Sequence, residues 1–434
     1  MLGNLDLISL DRSHAQPLLV AVQRTILELV KLYQQAEQTS LLAKLNSYKL
    51  DSKDPSDSVD QLKGSIDLVR RHSADAVSRC VSFSGNFGLP GLRRSLQTFW
   101  KNYLSKLASM LSQFKAPVEG TNEGERWEAL QAAFSLVQII GSLFGCLSDT
   151  EREMQLMLAQ LRSLFQLDGH HHDFGADPPA TDAEQSALTR TDQLMERLFI
   201  QLALEDSALC GACRSLLTKI PDDFSPLLPS VQNALVSLNQ QIHKLALDCV
   251  LGPIQTTLHS LPKLSIWSAQ HVGDSLVTEL PQFGLSPQEY ITNIGQHLMT
   301  FAHHLEPFLF DSDGSFAIAL RHYELPYTSK TESGISSTED KQAGREWLES
   351  VANTIMHNYV ETILDIPTLT GSAIKHLLLD LGYLCNIVED LGISPTEDLL
   401  SLRTLLEIPA DQFGATAPQH STMIASSVKN MRKL

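Results

Sequence analysis

Long apolar runs are missing from this sequence. Nowhere do eighteen apolar residues follow one another, and the most apolar stretch, 132–147, is broken by Ser135, Gln138, Gly141, Ser142 and Gly145, so no membrane span is expected. Positive charge is also scarce. The 434 residues carry 33 Lys and Arg against 50 Asp and Glu, a formal net charge of −17, and no basic stripe offers the phosphate contacts that nucleic-acid binding needs. The pairs Arg70 with Arg71 and Arg93 with Arg94 fall inside helical patterns and read as solvated faces. The N-terminus, MLGNLDLISLDRSHAQ, has no charged region ahead of its apolar residues, and no secretory signal is read there. Cysteine is sparse too: of six, Cys80, Cys146, Cys249 and Cys385 are scattered among helical positions, and disulfides are not expected.

The motifs that carry chemistry are likewise absent. The sequence has no GxSxG, no HExxH and no carboxylate pair with a reason for a perturbed pKa. Asp168, His170, His171, His172 and Asp173 offer imidazole and carboxylate suited to zinc or nickel, but consecutive histidines on a loop converge poorly on one ion, so the stretch reads as a polar loop. Cys210 and Cys213 form a lone CxxC without a second ligand pair or a βαβ setting, and read as packing residues. Gly85, Gly88 and Gly91 lack the spacing and the following Lys of a phosphate loop, which leaves a helix-to-helix turn. His297, His303 and His304 have no nucleophile or orienting acid near them in sequence and read as surface or rim residues. No residue is assigned a catalytic, cofactor-binding or metal-binding role, and the chain is not read as an enzyme.

What is present is helical periodicity from end to end. Residues 13–49 form one helix with Leu18, Leu19, Val22, Ile26, Leu29, Val30, Leu32, Leu41, Leu42 and Leu45 at helical spacing, and further helices are expected over 58–84 and 92–114. Residues 127–165 read as a helical pair divided near Ser148, with the Ser-Asp-Thr-Glu run capping its second member. Helices over 189–220, 230–261, 346–366 and 372–391 follow, and no strand pattern is found. The fold class is all-α, an array of antiparallel helical bundles. Its expected divisions are bundle units over 1–167, a loop at 168–182, a bundle at 183–324, a mobile loop at 325–340, a C-terminal bundle at 341–413 and a polar tail at 414–434.

The stretch from Leu280 to Phe308 is the clearest single element. Ile291, Ile294, Leu298, Phe301, Leu305 and Phe308 alternate three and four apart, the spacing of a narrow packing seam, and Pro307 ends it. Ser286, Pro287 and Glu289 match a capping box that starts the helix at Ser286, and Ser394, Pro395, Thr396 and Glu397 repeat the device before Leu399, Leu402, Leu405 and Leu406.

Residues 280–308, together with YVETILDI at 359–366, HLLLDLGYLCNIVEDLG at 376–392 and 410–413, resemble the C-terminal half to two-thirds of the subunit 7 family of the conserved oligomeric Golgi complex, a vesicle-tethering assembly. A weaker echo runs over 88–104 and 127–147. In that family an N-terminal half with coiled-coil helices precedes the part matched here. The resemblance implies an elongated rod of helical bundles, a non-catalytic role in intra-Golgi retrograde transport, and a place at the cytosolic face of the Golgi as a peripheral membrane protein. It implies no cofactor. As partners it implies the fifth, sixth and eighth subunits of the complex, with SNARE proteins and Rab GTPases met indirectly, and Golgi organisation and protein glycosylation as the processes affected. From the residues alone, a helical solenoid adaptor of unrelated trafficking function is the competing reading, although no fixed repeat of 34 to 47 residues is present.

Overall fold

In the computed structural model, residues 12–48, 50, 55–114, 122–167, 200–201, 203–220, 225–267, 286–308, 314–328 and 339–433 are described, and among them no strand occurs. The helices are α1 (Arg12–Asn46), α2 (Pro55–Ser84), α3 (Leu89–Leu111), α4 (Glu123–Leu167), α5 (Ser207–Lys219), α6 (Pro229–Ser260), α7 (Glu289–Leu305), α8 (Ser315–Arg321), α9 (Glu339–Leu364), α10 (Gly371–Asp390), α11 (Glu397–Glu407), the single turn α12 (Phe413–Thr416) and α13 (Thr422–Arg432). The fold is all-α. Two compact units divide the chain, one from Met1–Gln113 and Ser142–Leu238, the other from Phe114–Gly141 and Asn239–Leu434, so α4 and α6 each contribute to both.

In the first unit α1 lies along α3, and Ser95 Oγ donates to the Gln34 carbonyl at 3.0 Å. The inward stripe of α1 is Leu27, Val30, Tyr33, Leu41 and Leu45, all buried. Glu37 shares that face and is 5% exposed, which is tolerable because Arg79 of α2 meets its carboxylate at 2.6 Å. The turn between α2 and α3 uses two left-handed residues, Gly85 (φ 51°) and Asn86 (φ 77°), the types that reach this region at least cost. Asn86 then donates to Gln160 Oε1 at 2.6 Å, so the expected helix-to-helix turn is also anchored to α4.

The second unit is organised around Phe134 of α4, whose ring lies 5.2 Å from those of Phe308 and Trp347, 5.7 Å from Phe316 and 6.4 Å from Phe301. Two turns further along α4, a Cβ on Gly141 would overlap the Ser315 carbonyl, so glycine is what lets the start of α8 approach this closely. The seam of α7 packs as its spacing predicts: Ile291, Ile294, Leu298, Phe301, Leu305 and Phe308 are all buried.

Several local expectations are corrected. Residues 127–165 are not a pair: α4 runs 45 residues unbroken, and Thr150 donates back to the Cys146 carbonyl at 2.8 Å instead of capping a new helix. By length and composition α4 is apolar enough to cross a membrane, contrary to the run-based reading. However, 67% of its most apolar window is buried within the protein, as in a core helix. Residues 189–220 are not one helix, because Asp206 stands in extended conformation and caps α5 by accepting from the amides of Ala208 and Leu209. The polar tail expected at 414–434 contains α13, which buries Ile424, Ala425, Val428 and Met431.

The two capping boxes are also displaced. α7 starts at Glu289 with Gln288 as its cap, and α11 starts at Glu397 with Thr396 as its cap; neither cap makes a side-chain bond, and Ser286 and Ser394 lie two residues outside. At α7 the acceptor comes from α10. Asp380 Oδ1 accepts from the Gln288 amide at 2.8 Å, and Oδ2 accepts from Tyr290 Oη at 2.6 Å, which in turn meets Tyr359 Oη at 3.0 Å. Burial raises the Asp380 pKa, and these two donors partly offset the rise. Three residues along α10, Tyr383 fills the space that a Cβ on Gly295 would need. Replacing Asp380 with Ala should therefore cost about 1–3 kcal/mol by orphaning a half-buried amide and weakening the tyrosine pair. Ser286→Ala should stay within about 0.5 kcal/mol, since the residue is exposed and caps nothing. Thermal unfolding of the two variants side by side checks this, and equal melting shifts would return the cap to Ser286.

Candidate interaction surface

His170, His171 and His172 lie outside the described residues. Among those described, no group of three or more His, Cys, Asp or Glu could hold a metal ion. Cys210 and Cys213 sit one turn apart on α5, both buried; Cys213 donates to the Phe87 carbonyl at 3.6 Å, and burial pushes its thiol up to about 12. Burial thus keeps the Cys213 thiol protonated among its packed neighbours.

The histidines of α7 do more than line a rim. His297 and His304 flank the ring of Trp127, with centroids at 4.7 Å and 4.8 Å. His297 Nε2 donates to the Val250 carbonyl at 2.9 Å, and His304 Nδ1 lies 3.0 Å from Gln131 Nε2. Burial holds both imidazoles below their ordinary pKa. They clamp α4 and α6 to α7 as neutral, packed rings. Only His303, beside Glu306, is the exposed residue that sequence reasoning expected. One-dimensional spacing puts His297 and His304 on one face but cannot reveal that Trp127, 170 residues earlier than His297, fills the space between them.

The feature that sequence reasoning missed is the outer face of α1. Behind the buried stripe runs a second line of residues, Val22, Thr25, Leu29, Leu32, Ala36, Thr39 and Ala43, every one of them exposed. Their spacing alternates three and four throughout, the seam geometry of a helix that packs against another helix. Val22 is 42% exposed, Leu29 49% and Leu32 60%, so the apolar centre of this seam faces solvent. Phe83 of α2, 39% exposed, stacks on Tyr33 at 6.2 Å. The signal was available as a surplus: Val22, Leu29 and Leu32 belong to the same apolar set as Val30, Leu41 and Leu45, and one face of a helix cannot bury all six.

A family model described as Golgi complex component 7 matches residues 8–433. The chain belongs to this family. Subunits 7 of the conserved oligomeric Golgi complex from Bos taurus and Homo sapiens are each 28% identical to it, over 415 and 414 residues, covering 93% of this chain and 53% of each relative. The Drosophila melanogaster subunit 7 is 25% identical over 423 residues, covering 93% of this chain and 50% of that relative. The chain therefore spans about half the length of the curated relatives it matches. No solved structure matches. Of the blocks that carry the resemblance, those on α7, α9 and α10 lie in packing helices of the second unit.

Proposed function

We propose that this chain is a non-catalytic helical scaffold of a Golgi vesicle-tethering complex, acting in intra-Golgi retrograde transport at the cytosolic face of the Golgi membrane. The observation that carries the reading is the family match over residues 8–433, joined to an all-α architecture in the described residues. Such a protein works by effective concentration: held in an assembly by one surface, it raises the encounter rate of whatever its other surfaces hold. Its partners on this reading are the other subunits of the complex, the fifth, sixth and eighth among them, with SNARE proteins and Rab GTPases reached through the assembly. Loss of the chain disturbs recycling of glycosylation enzymes, and with it Golgi organisation and protein glycosylation.

The outer seam of α1 supports the same reading, because a subunit needs a face for its neighbours and a three-four apolar line fits a helix of another subunit. Changing Leu29 and Leu32 together to Glu should leave thermal unfolding within about 1 kcal/mol, since both side chains are already exposed. Affinity purification from cells should then recover the wild-type chain with the Golgi complex and the variant with at least one subunit depleted. A wild-type chain excluded from the complex overturns the functional reading. A double variant that keeps every subunit overturns only the assignment of the surface.

A further inference from the structure

Two Ser-Pro pairs, Ser286 with Pro287 and Ser394 with Pro395, each stand just ahead of a helix. Both serines are exposed on chain without regular structure, and neither hydroxyl makes a hydrogen bond among the described residues. A proline disfavours the helical conformation in the residue before it, which is how each serine stays presented to a modifying enzyme. In sequence the two are equivalent. Their surroundings are opposite.

At Ser286 the start of α7 is already taken by an anion, because the Gln288 amide donates to the Asp380 carboxylate at 2.8 Å. A phosphate two residues away would be repelled by it. His376, on the same stretch of α10, is engaged by the Gln288 side chain at 3.3 Å. At Ser394 the start of α11 is open, since its cap residue Thr396 makes no side-chain bond. A cation also stands beside it. Gly392 ends α10 in the left-handed region (φ 75°), and its carbonyl accepts from Arg345 Nη2 of α9 at 3.1 Å. A guanidinium has five N–H donors, and this bond uses one. Two residues of chain span at most about 7 Å between Cα atoms, so Ser394 lies within reach of the exposed Arg345 side chain. Glu397 and Asp398 share the first turn of α11, but both are exposed, where salt screens them.

We propose that Ser394 is a phosphorylation site whose phosphate is received by Arg345 and the open start of α11, stapling α9 to α11. A proline-directed kinase transfers the γ-phosphoryl group of ATP to Ser394 Oγ; the hydroxyl proton passes to the kinase's base and ADP leaves. The product carries about −1.5 to −2 charge and three acceptor oxygens. A guanidinium can bind two of these side by side, and a helix N-terminus favours the negative charge. Such a site regulates the second unit whatever partners the chain holds.

Phosphoserine placed at position 394 or 286 of the full chain during translation tests the receiving groups without a kinase. At low salt, phosphoserine at 394 should raise the melting temperature by about 2–4 °C over the unmodified chain. The gain should vanish in the Arg345→Gln background, compared with its own unmodified form, and in high salt. Phosphoserine at 286 should give no gain. By 31P NMR the second phosphate pKa should be about half a unit lower at 394 than at 286, and Arg345→Gln should return it. Incubation with ATP and a cyclin-dependent kinase should phosphorylate Ser394, and mass spectrometry of the chain purified from cells should find the phosphate there. Its absence from Ser394 in both overturns the acceptor. No melting gain at 394, or a gain that survives Arg345→Gln, overturns the receiving site.

Discussion

Deletion of residues 414–434 is expected to loosen the second unit, and not mildly. The segment reads in sequence as a polar tail, but α13 packs on α11 and α9 and buries Ile424, Val428 and Met431 almost completely. At roughly 1.5–3 kcal/mol for each fully buried side chain, these three alone approach the 5–15 kcal/mol margin of a whole domain, before the ordering entropy of the helix is subtracted. The polar contacts add to this. Arg432 Nη1 donates to the carbonyls of Leu405 and Ile408, both at 2.8 Å, capping the C-terminus of α11, and its guanidinium lies 5.8 Å from the ring centroid of Phe413. The Leu369 amide donates to the Met431 carbonyl at 2.9 Å, tying the strap before α10 to the same helix. The truncated protein should melt earlier, expose apolar surface to a dye such as ANS and be scarce in cells. Truncation at Ser394 removes α11 as well, uncovers Leu377, Leu381, Leu384 and Val388, and should be worse. A 414–434 deletion that melts like the full chain would show that α13 is an appendage.

Leu298→Asp should destabilise the same unit by several kcal/mol. Leu298 is completely buried at the centre of the α7 seam, between Ile294 and Phe301, and a carboxylate placed there has no partner to offset its desolvation. Leu298→Ala, which leaves a cavity without a charge, should cost about 2–5 kcal/mol. The adjacent Met299 is 44% exposed, so Met299→Asp is the matched control and should be close to neutral. Chemical denaturation of the three variants separates the cases. Similar midpoints for Leu298→Asp and Met299→Asp would remove the basis for the seam.

The elements most legible in the sequence were those whose partners are apolar and plural. The α7 seam needed only its own spacing, because any helix pair that covers it buries the same six residues. The start of α7 was misplaced by three residues for the converse reason. Its orphan amide is satisfied by one specific carboxylate, Asp380, which lies 92 residues later, and no local motif encodes that bond. Ser286 and Ser394 have the composition of caps, but each precedes a proline, which biases the residue away from the helical region and leaves the serine outside the first turn. The break expected near Ser148 failed in the opposite direction: a polar run that can cap a helix can also lie on the solvated side of a continuing one, where Asp149 and Arg152 pair at 3.1 Å.

The sequence by itself determined that the chain is all-α and which family it belongs to, since helical periodicity is a local property and the family blocks are read residue by residue. Tertiary structure alone decided which of the two apolar stripes on α1 is covered, because burial depends on α2 and α3 and not on α1. It decided that α4 runs unbroken and that α13 is packed. It also brought together Trp127 with His297 and His304, groups whose chemistry depends on distance in space.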